Sequence, residues 1–192
     1  MPRRIALATA AAARAGDADF APLAAALGEL GLVAEAVDWD DPAVDWAGFE
    51  AVLPRSTWDY VERLDEFLDW CERVAQATRF LNPPTLLRWN TDKRYLLDLA
   101  AAGVAVVESH FIAPGQPARD FPDHGEFVVK PAVGAGARDA RRFTRTERDL
   151  AVEHARALLE RGRRIRQRKE SPSRRRVRGG HLRDAGEAIC AG

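Results

Sequence analysis

The chain has 192 residues, 46% of them hydrophobic and 30% charged, and its 29 basic and 29 acidic side chains cancel to a formal net charge of zero. That length predicts one domain or one and a half, able to bury roughly 70% of the surface the unfolded chain exposes, and the apolar content excludes a wholly disordered chain. No stretch approaches the roughly 18 uninterrupted apolar residues of a membrane span, and Cys71 and Cys190, without any C-x-x-C spacing, argue against a disulfide scaffold or a zinc site and for a reducing cytoplasm.

The Ala-rich start, Met1 to Ala13, is short in its apolar part and is followed by Asp17 and Asp19. It reads as a first strand, Arg4 to Thr9, rather than as a signal peptide. Asp19 is placed to cap a helix running to about Glu29–Leu30, where Gly31 supplies the stop. Leu32 to Val37 and Ala51 to Leu53 read as two further strands. Leu64, Phe67, Leu68, Cys71 and Val74 recur at helical spacing, which predicts an amphipathic helix over Arg63 to Ala77. Asn82–Pro83–Pro84 reads as a rigid turn. Thr91 or Asp92 caps a helix through Tyr95, Leu96 and Leu99 that ends at Gly103. Val104 to Val107 and Phe127 to Val129 are strand-like, and Glu147 to Arg161 is helical. Strands interleaved with helices predict an α/β domain with a largely parallel sheet, and there are no internal repeats.

Neutrality is an average of two unlike parts. Residues 1–162 hold 19 basic and 26 acidic side chains, a net of −7, whereas residues 163–192 hold 10 and 3, a net of +7. Nine of the ten tail cations are Arg, in runs such as Arg163–Arg164 and Arg174–Arg175–Arg176. The tail has no aromatic residue and neither period 2 nor period 3.6, which predicts disorder from about Arg163 onward.

One segment carries chemistry in its residue types. Phe127 to Val129 delivers Lys130 and then Pro131–Ala132–Val133–Gly134–Ala135–Gly136–Ala137–Arg138. A loop of small residues lets backbone N–H groups approach phosphate oxygens, and a lysine beside it adds positive charge. A dinucleotide fingerprint fails because Asp139 stands where its third glycine belongs, and a Walker loop fails for want of G-K-[ST]. A plain glycine turn between strands remains the alternative. A second segment, Asn90–Thr91–Asp92–Lys93–Arg94–Tyr95, reads alone as a capped helix start with solvated charges. The segment Arg55–Ser56–Thr57–Trp58–Asp59–Tyr60 follows a predicted strand at its carboxyl end, where open α/β sheets bind ligands. There Arg55 can hold a carboxylate bidentately between Trp58 and Tyr60, or the segment is an ordinary turn with both aromatics in the core. Trp39, Trp46, Trp70 and Trp89 read as core. His110, His124, His154 and His181 show no metal-ligand spacing and read as surface residues.

Taken together, the N-x-x-D-K helix start and the V-V-K-P segment some 35–40 residues later resemble the ATP-grasp superfamily. The strings Arg55 to Tyr60, Leu81–Asn82–Pro83–Pro84, Arg88–Trp89–Asn90 and Lys93 to Leu97 are similar to a bacterial glutathione-synthetase-like branch that includes the O-ureido-serine cyclo-ligase of cycloserine biosynthesis. The resemblance covers about residues 4–162. It implies a pre-ATP-grasp α/β domain over 1–90 and the N-terminal part of an ATP-grasp domain over 91–162, with 163–192 left as an Arg-rich tail. It further implies that Lys93 and Lys130 contact ATP phosphates under a loop formed by Gly134, Ala135, Gly136 and Ala137. Arg55, Ser56, Thr57, Trp58 and Tyr60 would line the substrate. In that family a small-molecule carboxylate is activated as an acyl phosphate and attacked by an amine-type nucleophile, so positioning and charge neutralisation dominate and no Ser–His–Asp set is expected.

The resemblance stops near Gly162. The family continues with a hinge strand beside the adenine and with acidic and Asn ligands for two magnesium ions. Glu170, Asp184 and Glu187 are scattered in a basic context, and no Asp/Glu-x-Asn arrangement follows Arg163. A chain without those ligands is catalytically incomplete. The 26 Arg against 3 Lys, with an Arg/Gly/Ser/Pro/Ala-heavy tail lacking any pattern, lead to the expectation that the tail is an out-of-frame translation of a GC-rich gene past codon 162; a DNA sequence with no hinge strand or acidic ligands in either other frame refutes it. Two other readings remain: a nucleotide- or small-acid-binding protein without turnover, and a nucleic-acid-associated protein using 163–192 as a basic arm, the latter disfavoured because unpatterned Arg stretches are usually just solvated. The oligomeric state is open.

Overall fold

The computed structural model describes residues 2–119, 121–123 and 125–162, and residues 165–169 as backbone. Two four-stranded sheets organise it. The first has the order β2-β1-β3-β4, all parallel, from β1 (Arg3–Thr9), β2 (Leu32–Asp38), β3 (Ala51–Ser56) and β4 (Arg79–Phe80). Period 2 along β1 splits the core between its faces. Ile5 and Leu7 face helix α1 (Phe20–Glu29) with Phe20, Leu23 and Leu27. Ala6 and Ala8 face helix α2 (Leu64–Ala77), whose Phe67, Leu68, Trp70, Cys71 and Val74 are buried. Alanines on that face leave room for aromatics. Trp70 meets Trp39 at 5.8 Å, Trp46 at 5.4 Å and Phe80 at 5.4 Å between ring centroids, all edge-on, the arrangement ring quadrupoles favour.

A short helix α3 (Pro84–Asn90) follows the Asn82–Pro83–Pro84 turn and packs on α2, and α4 (Tyr95–Ala101) comes next. The second sheet has the order β5-β8-β6-β7, from β5 (Ser109–Ile112), β6 (Glu126–Pro131), β7 (Arg141–Thr144) and β8 (Ile165–Lys169), and its pairs are antiparallel. Helix α5 (Arg148–Glu160) lays Ala151, Ala155 and Leu158 on Phe127, Val129 and Phe143. Its entry is fixed by a capping box in which Thr144 and Glu147 satisfy each other's backbone and side-chain groups, a reciprocal use of otherwise orphaned donors.

Several expectations are corrected. Val104 to Val107 is irregular, with Val104 and Val107 exposed, and the strand begins at Ser109. Asp19 precedes α1 without a side-chain cap, because its carboxylate is drawn to Arg55. The helix after Asn90 starts at Tyr95; the Asp92 carboxylate instead accepts from the Arg94 backbone N–H at 3.0 Å. Trp89 lies outside the core, resting on Tyr95 at 5.1 Å and donating to Asp98 at 2.7 Å. His110 is exposed, but His154 is half-buried against Phe143. The sheet of the second half is antiparallel rather than parallel, and residues 165–169 form a strand where disorder is expected. His124, Glu170, Arg174–Arg175–Arg176, His181, Asp184, Glu187, Cys190 and the rest of 170–192 lie outside the described residues. Among the described residues, no helix is long and apolar enough to cross a membrane.

Candidate functional site

The alternation of β6 decides what its lysine faces. Phe127 and Val129 are buried against α5, so Val128 and Lys130 point to the other face, as a pleated strand requires. There both line a cavity of about 290 Å³ together with Lys93, Gly134, Ala135, Ala137 and Arg138. The two lysines that sequence spacing links are thus brought to one cavity, and the small-residue loop forms its wall. No acidic side chain is among its lining residues.

Lys93 arrives there because the segment between α3 and α4 pairs with the chain leaving β6. Asp92 and Val133 form an antiparallel bridge, and the Lys93 backbone N–H donates to the Ala132 carbonyl at 3.0 Å. The Lys93 ammonium donates to the carbonyls of Ala132 at 3.1 Å and Gly134 at 2.9 Å. A Cβ on Gly134 would stand 3.9 Å from the Lys93 Nζ, ordinary contact distance. The loop then turns through left-handed conformations, with φ of 60° at Gly136 and 59° at Ala137 and Asp139. Glycine adopts that region freely, whereas Ala and Asp are held in it by their surroundings. One restraint is a His154 ring N–H that donates to the Asp139 carbonyl at 3.0 Å; the Arg138 side chain, more exposed, pairs with Glu62 at 2.7 Å. Burial lowers the His154 pKa below 6.5, against the pull of that carbonyl.

The Arg55 to Tyr60 segment lies elsewhere, at the carboxyl ends of β1 and β3, where the strand order reverses direction around β1. Such a reversal opens a crevice in an α/β sheet. Arg55 lines a cavity of about 160 Å³ with Thr9, Arg14, Asp17 and Phe20. Its guanidinium donates to Asp17 at 3.0 Å and to Asp19 at 3.2 Å, and the Ser56 hydroxyl also donates to Asp17. The Ser56 hydrogen bond first, and Arg55 with it, hold the Asp17 carboxyl below its usual range. The buried Arg55 Nε has no hydrogen-bond partner among the described residues. Thr57 is buried, Trp58 is 48% exposed, and Tyr60 packs on Phe67 at 5.3 Å. The two aromatics therefore divide: Tyr60 joins the core, and Trp58 stands at the surface.

A third cavity, about 560 Å³, lies between α2 and the α3–α4 junction, lined by Leu64, Asp65, Arg88, Thr91 and Arg94 among others. It holds none of the residues singled out from sequence for phosphate or substrate. Sequence reasoning missed Asp17, Glu62 and His154. Their roles depend on partners distant in the chain, and no local pattern marks them. Among the described residues, no group of three or more His, Cys, Asp or Glu could hold a metal ion, so these residues do not fit a magnesium centre on their own.

Comparisons with known proteins bear on the fold that carries these residues. A family model described as the N-terminal domain of D-cycloserine synthetase DcsG matches residues 5–82. The cycloserine biosynthesis protein DcsG of Streptomyces lavendulae is 45% identical over 166 residues, 82% of this chain and 56% of that protein. The crystal structure of D-cycloserine synthetase DcsG matches with a TM-score of 0.80 at 43% identity, over 88% of this chain and 60% of that one. A RimK domain ATP-grasp protein from Sphaerobacter thermophilus DSM 20745 shares the fold, with a TM-score of 0.64 at 20% identity over 89% and 65% of the two chains. The chain thus spans somewhat over half the length of the curated relative it matches. It has the fold of ATP-grasp proteins, and over most of its length it is similar to the D-cycloserine synthetase DcsG, whose N-terminal domain family its residues 5–82 match.

Proposed function

We propose that these residues form the nucleotide-phosphate side of an ATP-dependent ligase that activates a small-molecule carboxylate. The observation that carries the reading is the convergence of Lys93, Lys130, Gly134, Ala135 and Ala137 on one cavity without acidic lining; Gly136, in the same loop, is not among its lining residues. At about 290 Å³ it matches the lower end of small-molecule sites, enough for the phosphate end of a nucleotide rather than the whole. A nucleotide bound there supplies the phosphoryl group that turns a substrate carboxylate into an acyl phosphate, open to displacement by an amine-type nucleophile.

The protein's own part is electrostatic. Two ammonium groups held by the β6 pleat and the Ala132 and Gly134 carbonyls stand where negative charge grows on transferring oxygens. They are positioned before the anion arrives, so little reorganisation is needed when it does. Loop N–H groups over Gly134 to Ala137 would add donors at close range, since small side chains keep nothing between backbone and phosphate. The described residues do not fit a magnesium centre, and no step here runs through one.

The carboxylate to be activated is assigned to the crevice at Arg55. The unpaired, buried Nε of Arg55 supports this, because an unmet donor of that kind is costly unless something accepts from it. A substrate there competes with Asp17 and Asp19 for the guanidinium, with Ser56 and Thr57 at the strand end and Trp58 as an exposed wall. The domain division expected from sequence, 1–90 and 91–162, places this crevice on the first part and the lysine cavity on the second.

Thermal unfolding in rising Mg-ATP tests the reading. A ligand at 100 times its dissociation constant stabilises the chain by roughly 2.7 kcal/mol. The shift should vanish in Lys130→Ala. An unchanged melting temperature at millimolar Mg-ATP, or an equal shift in that variant, refutes the assignment.

A further inference from the structure

The lysine cavity carries a third cation, and a carboxylate from the first sheet's side of the molecule holds it. Arg138 lines the cavity with Lys93 and Lys130. Its Nη1 lies 2.7 Å from Glu62 Oε1, which sits in the turn between the 3-10 segment Trp58–Val61 and α2. The two side chains are 61% and 50% exposed. An ion pair so open to water is weak and readily exchanged, so a multiply charged anion can take the carboxylate's place.

The backbone around Arg138 is far less free. Ala137 and Asp139, its two neighbours, both have φ of 59°, a conformation that persists in non-glycine residues only where the surroundings over-determine it. The Asp139 carbonyl accepts from His154 at 3.0 Å, and the Asp139 carboxylate lies 3.9 Å from Arg161. Both partners come from α5 or its end, so the far side of the loop is tied to the second core. A fixed backbone therefore presents a loosely paired guanidinium at the rim of a cationic cavity. Arginine's planar fork suits two phosphate oxygens at once.

We propose that Arg138 is a third phosphate-binding residue and that Glu62 is its gate, occupying the guanidinium until a polyphosphate displaces it. The proposal rests on the reading of the cavity as a phosphate site. In it Glu62 acts only through Arg138.

Calorimetric titration of the full chain with ATP and with inorganic tripolyphosphate, at fixed ionic strength, tests this. The proteins are wild type, Glu62→Gln, Arg138→Gln, the double variant and Lys130→Ala. Arg138→Gln should weaken both ligands about tenfold, the worth of one charge-assisted contact. Glu62→Gln should tighten them a few-fold, and the double variant should equal Arg138→Gln, because the gate has nothing left to hold. Additive effects, or an unchanged affinity in Arg138→Gln while Lys130→Ala abolishes binding, overturn the proposal alone. Wild type that binds neither polyanion overturns the phosphate-site reading along with it. Both substituted residues are exposed, and near-ultraviolet circular dichroism checks that the variants keep the wild-type fold.

Discussion

The Lys93 ammonium stands 2.9 Å from the carbonyl of Gly134, so a lysine at the start of one segment braces the backbone of the loop that follows the other lysine. With the second bond, to Ala132, two of the ammonium's three N–H donors are engaged by the loop backbone. In the proposed reading the same cation serves structure and binding at once.

Lys93→Met keeps the aliphatic stem and removes the charge. Hydrogen bonds from charged donors are worth about 1.5–3 kcal/mol each and do not add when they share a donor. The variant should lose about 2 kcal/mol of stability in urea denaturation and most of its Mg-ATP affinity. Loss of affinity with unchanged stability would mean that the carbonyl contacts contribute nothing to folding.

Gly136 isolates the backbone term in the loop. Its φ is 60°, and a Cβ built there meets nothing within 4 Å. Any effect of Gly136→Ala therefore comes from forcing a side chain into the left-handed region, about 1 kcal/mol. In a chain of this size that lowers the melting temperature by about 2–4 °C. A larger drop would indicate a clash that the open space excludes.

Legibility in the sequence followed locality. Arg4 to Thr9, the amphipathic run Leu64 to Val74, and Glu147 to Arg161 each carry their own period, and each appears within a residue or two of its expected bounds. The second sheet was less readable. Val104 to Val107 has the composition of a strand but pairs with no strand among the described residues, whereas Ser109–Ile112 and Ile165–Lys169 pair with each other although the second is strongly basic. Strand identity there is conferred by the neighbouring strand rather than by propensity. In the same way the lysine pair is visible in motif spacing, but Arg138–Glu62 and Asp139–His154 are contacts between distant segments that leave no periodic trace.

One histidine and a set of carboxylates, Asp17 among them, shape the acid side of the stability profile. Burial lowers the His154 pKa from 6.5, so as pH falls through that value the unfolded chain takes up a proton that the folded chain resists. Stability is then lost below about 6.5 and is intact above it. Asp17 is lowered from 3.8, first by the Ser56 hydroxyl and then by Arg55. Its contribution is present above 3.8 and is lost as pH drops from there toward the folded value. Urea midpoints measured across pH should therefore fall in two stages. His154→Gln should remove the upper stage, and Asp17→Asn should shrink the lower one, which Glu35, Glu50, Glu66 and Glu147 share because hydrogen bonds hold each of them below its ordinary range; a profile unchanged by either substitution would assign those stages to other groups.

Cys71 is buried within the Trp70 core, and burial pushes its thiol up to about 12. The thiolate is the reactive form, so in a Cys190→Ser background the folded chain should resist disulfide reagents at pH 8 and react fully in denaturant. Fast labelling of the folded chain would show that α2 opens readily from the first sheet.

The sequence contains three lysines, Lys93, Lys130 and Lys169, which makes amine acylation followed by mass spectrometry the most direct test of the phosphate site. Mg-ATP should protect Lys93 and Lys130 with one shared midpoint while Lys169 labels at an unchanged rate. Equal protection of all three lysines, or none at Lys93 and Lys130 at saturating nucleotide, would contradict the account.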